Sequence, residues 1–217
     1  RWPRIRCLAP RWVDPSPLLG VSERVEVVEG DLTDPPSLDA FARGAEGATL
    51  FHIAGLIHPN RVAEFQRVNV EGTASLLTAA RNAGVRRVVA MSSNSPLGCN
   101  PDPDHRFDES SPYAPYMGYG RSKQRMEELV QQAQESGTIE TVTVRAPWFY
   151  GPHQPARQIQ FFRMIRAGRF PILGDGNQKR SMAYVDNLCQ GLELAATAPG
   201  ASGETYWIAD ARPYSIN

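Results

Sequence analysis

TLFHIAGLIHPNRVAEFQRVNVEGTASLLTAARNAGVRRVVAMSS, residues 49–93, decides the fold. Its first piece, TLFHIAG (49–55), is a short apolar run suited to a buried strand, and it closes on Gly55. Residues 60–83 follow with Phe65, Val68, Leu76, Leu77 and Ala80 among the inward positions of a helical period. Gly84 stops that helix, and GVRRVVAMSS (84–93) runs on as a second buried strand. A strand, a helix and a strand of buried type make the unit from which parallel sheets are built, because parallel neighbours need a crossover between them.

The same alternation continues in both directions. Upstream, RIRCLAP (4–10) is a strand ended by Pro10, residues 11–22 are a loop, and RVEVVEGD (24–31) alternates as a strand does. DPPSLDAFARG (34–44) starts on prolines and stops on Gly44, the asymmetry of a short helix. Downstream, a Pro/Asp/Ser loop (99–115) leads to a helix over 118–136 and to the strand IETVTVRAP (139–147). The order β-β-α-β-α-β-α-β predicts an α/β fold, a Rossmann-like doubly wound parallel sheet with helices on both faces. Such sheets take ligands at the C-terminal ends of their strands, where Asp31, Gly55, Ser92, Ser93 and Arg145 fall.

After Tyr150-Gly151-Pro152 the character changes. ARQIQFFRMIRAGRFPILGDGNQKR (156–180) predicts a helix, a short strand and a polar loop. MAYVDNLCQGLELAAT (182–197) puts Val185, Leu188, Cys189, Leu192 and Ala196 on one stripe, and GETYWIAD (203–210) is a last strand. A boundary near 150 divides residues 1–150 from a smaller second unit, 151–217.

The 23 basic and 23 acidic residues balance, and no basic stripe argues for nucleic acid. No apolar run approaches the length of a membrane span. The first residues lack the apolar core of a signal peptide. Cys7, Cys99 and Cys189 are scattered, without a CxxC pair, which argues for a reducing, cytoplasmic setting. His58, His105 and His153 have no ligand spacing, so no metal site is expected. His52, on a buried strand, reads as a satisfied core histidine before it reads as a ligand.

GYGRSKQRMEEL (118–129) sets Tyr119 and Lys123 on one helical face. An ammonium beside a phenol favours the phenolate and lowers its pKa. The pair alone is weak and reads as an ordinary helix surface before it reads as an activated acid/base; its surroundings decide. VVEGDLTD (27–34), LFHIAG (50–55), VNVEGTASLLTAA (68–80), VVAMSSNSPLG (88–98), GYGRSK (118–123), VRAPWFYGP (144–152) and GDGNQKRSMAYVDN (174–187) occur in that order. Together they resemble the extended short-chain dehydrogenases/reductases, the NAD(P)-dependent epimerase/dehydratase family, over nearly the whole chain.

The resemblance implies an enzyme that transfers hydride at a hydroxyl or keto carbon with NAD or NADP. Its catalytic set would be Tyr119 as acid/base, Lys123, Ser93 as hydrogen-bond donor to the substrate oxygen, and Asn69. Cofactor contacts would come from Asp31, on the adenine amino group, and from Leu32, Ala54, Gly55, Arg11, Ser92, Pro147, Tyr119 and Lys123. Substrate contacts would come from Asn94, Ser95, Trp148 and Arg180, the last on a diphosphate. The first unit is then a partial NAD(P)-binding domain and the second a partial substrate domain. Relatives also form homodimers through a four-helix bundle, here from the helices over 60–83 and 118–136.

The chain departs from the family pattern in places. No G-x-x-G-x-x-G turn is present, so a β-α unit of roughly 30 residues is expected ahead of Arg1, and further substrate-domain elements after Asn217. The absent strand would lie between RIRCLAP and TLFHIAG in a 3-2-1-4-5-6 order, and calorimetry on residues 1–217 should find weak dinucleotide binding or none. After LAPRW there is no acid before Asp14, and Arg11 either leans the choice to NADP or is a plain loop residue. Asn94-Ser95 stands where dehydratases carry Asp-Glu, which disfavours dehydration. Ile57 stands where some UDP-galactose epimerases carry a Lys. Trp148 either floors an apolar pocket or packs in the core.

The reading these features favour is an epimerase or oxidoreductase acting on a nucleotide sugar. Alternatives are a hydroxysteroid dehydrogenase or flavonol-reductase type of enzyme, a non-catalytic dinucleotide-binding protein, and an inactive truncated chain.

Overall fold

The computed structural model describes residues 2–102, 104–172 and 174–215. Parallel strands β1 (Ile5–Ala9) and β2 (Val25–Glu29) pair in register, Ile5 opposite Val25 and Ala9 opposite Glu29. The stretch between them, expected as loop, carries one helical turn, α1 (Ser16–Leu19), begun by Pro15 and Pro17. A second sheet has the order β3 (Thr49–His52), β4 (Arg87–Ser93), β5 (Glu140–Ala146) and β8 (Thr205–Trp207), all parallel. The two sheets share no ladder, so β1 and β3 are each paired on one side only. Trp2 crosses between the groups and meets Phe51 edge-on, ring centroids 5.9 Å apart.

Helices cover both faces, as the alternation predicts. On one face α2 (Pro35–Ala42), α4 (Gly72–Asn82) and α5 (Met117–Glu135) bury Leu38, Leu76, Ala80, Met126 and Val130 against Leu50, Val88 and Ala90. On the other, α7 (Val185–Thr197) lays Leu188, Leu192, Ala195 and Ala196 on Val89, Val142 and Val144. Cys189, expected on that inward stripe, is exposed; the buried face runs through Ala195 instead.

The long helix expected over 60–83 is not one regular helix. It comprises α3 (Ala63–Phe65), a π-helical stretch Gln66–Glu71 and α4. π-helical turns are rare and carry no distinct residue signature, so the stretch reads in sequence as regular helix.

After β5 the chain makes β6 (Trp148–Tyr150), α6 (Ala156–Arg166) and β7 (Met182–Tyr184), with β6 and β7 paired in parallel. The short strand expected between α6 and the polar loop does not form: Phe170, Pro171 and Ile172 are irregular, and Leu173 lies outside the described residues. Pro171 lacks the N–H a ladder needs. α7 and β8 then return to the main sheet, α7 on its face and β8 beside β5. No helix among the described residues is long and apolar enough to cross a membrane, and none of them forms a group of His, Cys, Asp or Glu that could hold a metal.

Candidate active site

Strand β4 delivers Ser93 to the ligand edge of the sheet. The next residues turn tightly, with Leu97 N–H donating to Asn94 O and Gly98 N–H to Ser95 O. Gly98 sits at φ +78°, and a Cβ there would stand 2.2 Å from Ala114 O. Only glycine allows that approach, which folds the 99–115 loop back over the turn. α5 then starts against it: a Cβ on Gly120 would lie 2.6 Å from Ser95 O. Tyr119 is thereby brought beside Ser93, whose hydroxyl acts on its phenol. Burial pushes the Tyr119 phenol up, and the Ser93 hydroxyl draws it back down. Ser93 Oγ also contacts Asn94 Oδ1 and Ser95 Oγ, both at 3.2 Å.

Lys123 is one helical turn from Tyr119 and buried. Its ammonium donates to Met91 O at 2.8 Å and lies 2.9 Å from Met126 Sδ. Burial pushes it down to about 8, against the charge of Glu127, which holds it up. It therefore faces the β4 backbone in this structure, and the pull on the phenol comes from Ser93.

Asn69 lies in the π-helical stretch and is buried. Its Oδ1 accepts from Leu56 N at 2.7 Å, and its Nδ2 donates to Leu56 O at 2.9 Å and to Ser122 Oγ at 3.0 Å. Ser122 Oγ in turn donates to Tyr119 O at 2.8 Å. Asn69 so ties the loop after β3 to the first turns of α5.

The expected cofactor residues divide. Ala54 and Gly55 are exposed at the end of β3, and Asp31 uses Oδ1 to accept from Thr33 N at 2.7 Å, leaving Oδ2 to meet a ligand donor. Leu32 is a core residue packed against Gly72, and Pro147 is buried. The Ser92 hydroxyl is committed to Glu127, inside the protein. Arg11 pairs with Glu29 at 3.0 Å, and that carboxylate offsets any attraction to a 2′-phosphate. An exposed strand end, an acceptor on Asp31 and the Lys123 ammonium fit the ribose and adenine portions of a dinucleotide. The backbone cradle for its pyrophosphate is not among these residues.

Trp148 and Arg180 form a second group. The Arg180 guanidinium lies 5.6 Å from the Trp148 ring centroid, and Trp148 also stacks on Phe162 at 6.0 Å and meets Phe161 edge-on. The Trp148 ring thus packs on α6 on one side and carries a cation on another. A cleft of about 530 Å³ nearby is lined by Phe149, Tyr150, His153, Gln154 and Asp186, among others, and not by the Tyr119 group.

Glu127 was not foreseen. It is buried on α5, one turn past Lys123, and its carboxylate binds Ser92 Oγ, Tyr113 Oη and Arg145. Its spacing from Lys123 was a usable signal, since i and i+4 share a face.

The fold and this cluster define a class: a doubly wound α/β protein with ionisable side chains gathered at the ligand edge of its sheet. The chain belongs to the NAD dependent epimerase/dehydratase family, whose pattern matches residues 10–209. It is 53% identical over 215 residues, 99% of the chain and 60% of the relative, to the protein y4nL of Sinorhizobium fredii. It is 37% identical over 170 residues to the 4-hydroxy-2-methyl-3-oxo-4-farnesyl-3,4-dihydroquinoline-1-oxide ketoreductase of Stigmatella aurantiaca, covering 77% of the chain and 50% of that protein. The dTDP-glucose 4,6-dehydratase DesIV of Streptomyces venezuelae, solved with NAD and TYD bound, superposes with a TM-score of 0.82 at 28% identity, over 95% of this chain and 66% of that one. The chain thus spans between half and three fifths of these two curated relatives.

Proposed function

We propose that the protein is an NAD(P)-dependent epimerase or oxidoreductase of the extended short-chain dehydrogenase/reductase type, acting on a hydroxyl or keto carbon of a nucleotide sugar. The observation that carries this reading is the placement of the Tyr119 phenol beside the Ser93 hydroxyl at the end of β4. The dTDP-glucose 4,6-dehydratase bound to NAD supports the substrate class. Asn94-Ser95 offers no carboxylic acid beside Ser93, which favours epimerisation or simple oxidoreduction over loss of water.

A nicotinamide, when bound, supplies or accepts the hydride. In the reducing direction Tyr119 gives its proton to the substrate oxygen as charge develops there, and Ser93 Oγ–H donates a hydrogen bond to the same oxygen. The product is a hydroxyl group and a tyrosinate. Burial keeps the resting Tyr119 protonated, so it begins as the acid. The tyrosinate then needs a nearby cation, and Lys123, one turn along α5, is its source. Oxidation runs these transfers in reverse.

Tyr119→Phe should lower hydride transfer to dTDP- or UDP-sugars by about 10²–10⁴-fold, followed by the absorbance of the reduced nicotinamide. Unchanged turnover would remove Tyr119 from the chemistry.

A second reading, reduction of a ketone on an apolar ring, is favoured by the Trp148, Phe161 and Phe162 cluster and by the ketoreductase relative.

A further inference from the structure

His52 is buried at the end of β3, and none of the chemistry above uses it. Its Nε2 lies 2.8 Å from Thr73 Oγ1. Thr73 Oγ1–H donates to Asn69 O at 2.7 Å. A hydroxyl has one proton, and here it is committed to that carbonyl. Toward His52 the Thr73 oxygen can therefore only accept, so the imidazole carries its proton on Nε2. Nδ1 is then a bare acceptor, and it has no hydrogen-bond partner among the described residues. The expected satisfied core histidine is satisfied at one nitrogen only.

A threonine that bonds back to the carbonyl four residues earlier is common in helices, and Thr78 and Thr197 do so here. Thr73 differs in two respects. The carbonyl it holds belongs to a π-helical stretch, where the regular ladder is displaced by one residue. Its own oxygen is fixed from behind by His52. The contacts then run without a gap from His52 through Thr73, Asn69 and Ser122 to the backbone of Tyr119.

We propose that His52, as the neutral Nε2–H tautomer, and Thr73 are positioning residues that hold the π-helical stretch so that the Asn69 carboxamide reaches Leu56 and Ser122 together. The proposal rests on the reading of Asn69 as part of the active site, but its geometry can be tested without turnover. Burial, with the Lys123 charge added, holds the imidazole neutral down to about 3, so the tautomer persists through the neutral range.

The test is ¹⁵N NMR of the protein. The His52 ring nitrogens should show a protonated Nε2 and an unprotonated Nδ1, unchanged between about pH 5 and 8. Thr73→Val and His52→Leu should each speed exchange of the Asn69 carboxamide and Leu56 amide protons about fivefold to tenfold and shift both resonances. Thr73→Ser, which keeps the hydroxyl, should restore them. So should His52→Gln, whose amide nitrogen can donate to Thr73. Val85→Ala, a core change elsewhere, should leave them alone. A proton on Nδ1 would overturn the proposal, and so would native Asn69 signals in folded Thr73→Val. If Thr73→Val fails to fold, the His52 tautomer in the native protein still decides. Absence of hydride transfer with all NMR outcomes as expected would count against the proposed function and leave this inference standing.

Discussion

Glu127 and Arg145 form an ion pair buried on both sides, Arg145 Nη2 to Glu127 Oε2 at 2.8 Å. Arg145 Nε also lies 3.2 Å from each Glu127 oxygen, so the fork meets the carboxylate broadly. The pair joins α5 to β5. Through Ser92 and Tyr113 it also holds the end of β4 and the loop above it. Tyr113 responds: burial, with the Glu127 charge added, pushes its phenol up to about 12.

Removing one partner strands the other charge in the interior. Glu127→Ala should therefore cost about 3–5 kcal/mol, and Arg145→Ala a similar amount. The double substitution should cost clearly less than the sum. A double-mutant cycle by urea denaturation reads the coupling, and strict additivity would show that the pair does not act as a unit.

Lys123 predicts a rise of stability with alkaline pH. Its folded pKa is about 8 against an ordinary 10.5. Between those values the unfolded chain holds the proton and the folded one has released it, so raising the pH favours folding. Below about 8 both states are charged and the cost of burying the ammonium is fully present. The whole span is worth about 3 kcal/mol. Lys123→Met lacks this titration, so the native protein should gain on it from pH 8 to 10.5. Parallel stability profiles would contradict the buried ammonium.

His52 acts at the acid end. Its pKa falls from 6.5 to about 3 on folding, so the unfolded chain binds the extra proton first as pH drops through that window. Stability present above 6.5 is lost toward 3, on the order of 5 kcal/mol in all. His52→Gln should unfold at lower pH than the native protein when followed by circular dichroism. An unchanged acid midpoint would refute this.

Gly98 and Met117 test the backbone that sets Ser93 beside Tyr119. Gly98→Ala meets Ala114 O and should cost at least about 3 kcal/mol. Met117, at φ +57° two residues before Tyr119, holds a left-handed conformation that a side chain resists. Met117→Gly should raise stability by about 1 kcal/mol, read as a higher urea midpoint at constant slope.

Arg180→Ala separates the two substrate readings. A diphosphate would lose a charge-assisted contact, so turnover of a nucleotide sugar should fall far more than reduction of an uncharged ring ketone. Equal losses on both would argue that Arg180 serves mainly to pack on Trp148.

Much of the fold was legible because its signals are local. Apolar runs bounded on one side by Gly or Pro marked β1 to β5, and Gly84 and the prolines before Leu38 marked helix ends. What escaped is set by packing between distant segments. β8 joins β5 although α6, β7 and α7 intervene between them in the chain. Cys189 and Ala195 exchange inner and outer places through a small rotation of α7. At the site, Tyr119, Lys123, Ser93 and Asn69 were named from motif order; the structure sets Tyr119 beside Ser93, turns Lys123 to Met91 O and engages Asn69 with Leu56 and Ser122. Glu127 reads in sequence as one more polar residue on a charged helix; only Arg145 opposite explains its burial. Thr73 holds the Asn69 carbonyl in a π-helical stretch that reads in sequence as regular helix.

Asn69 closes a small circuit. It takes Leu56 N–H on Oδ1 and gives Nδ2–H to Leu56 O, so both backbone groups of one loop residue are held by one side chain. The same Nδ2 reaches Ser122 on α5. The loop after β3 and the start of α5 therefore share a single anchor, and a change at Asn69 is felt at both.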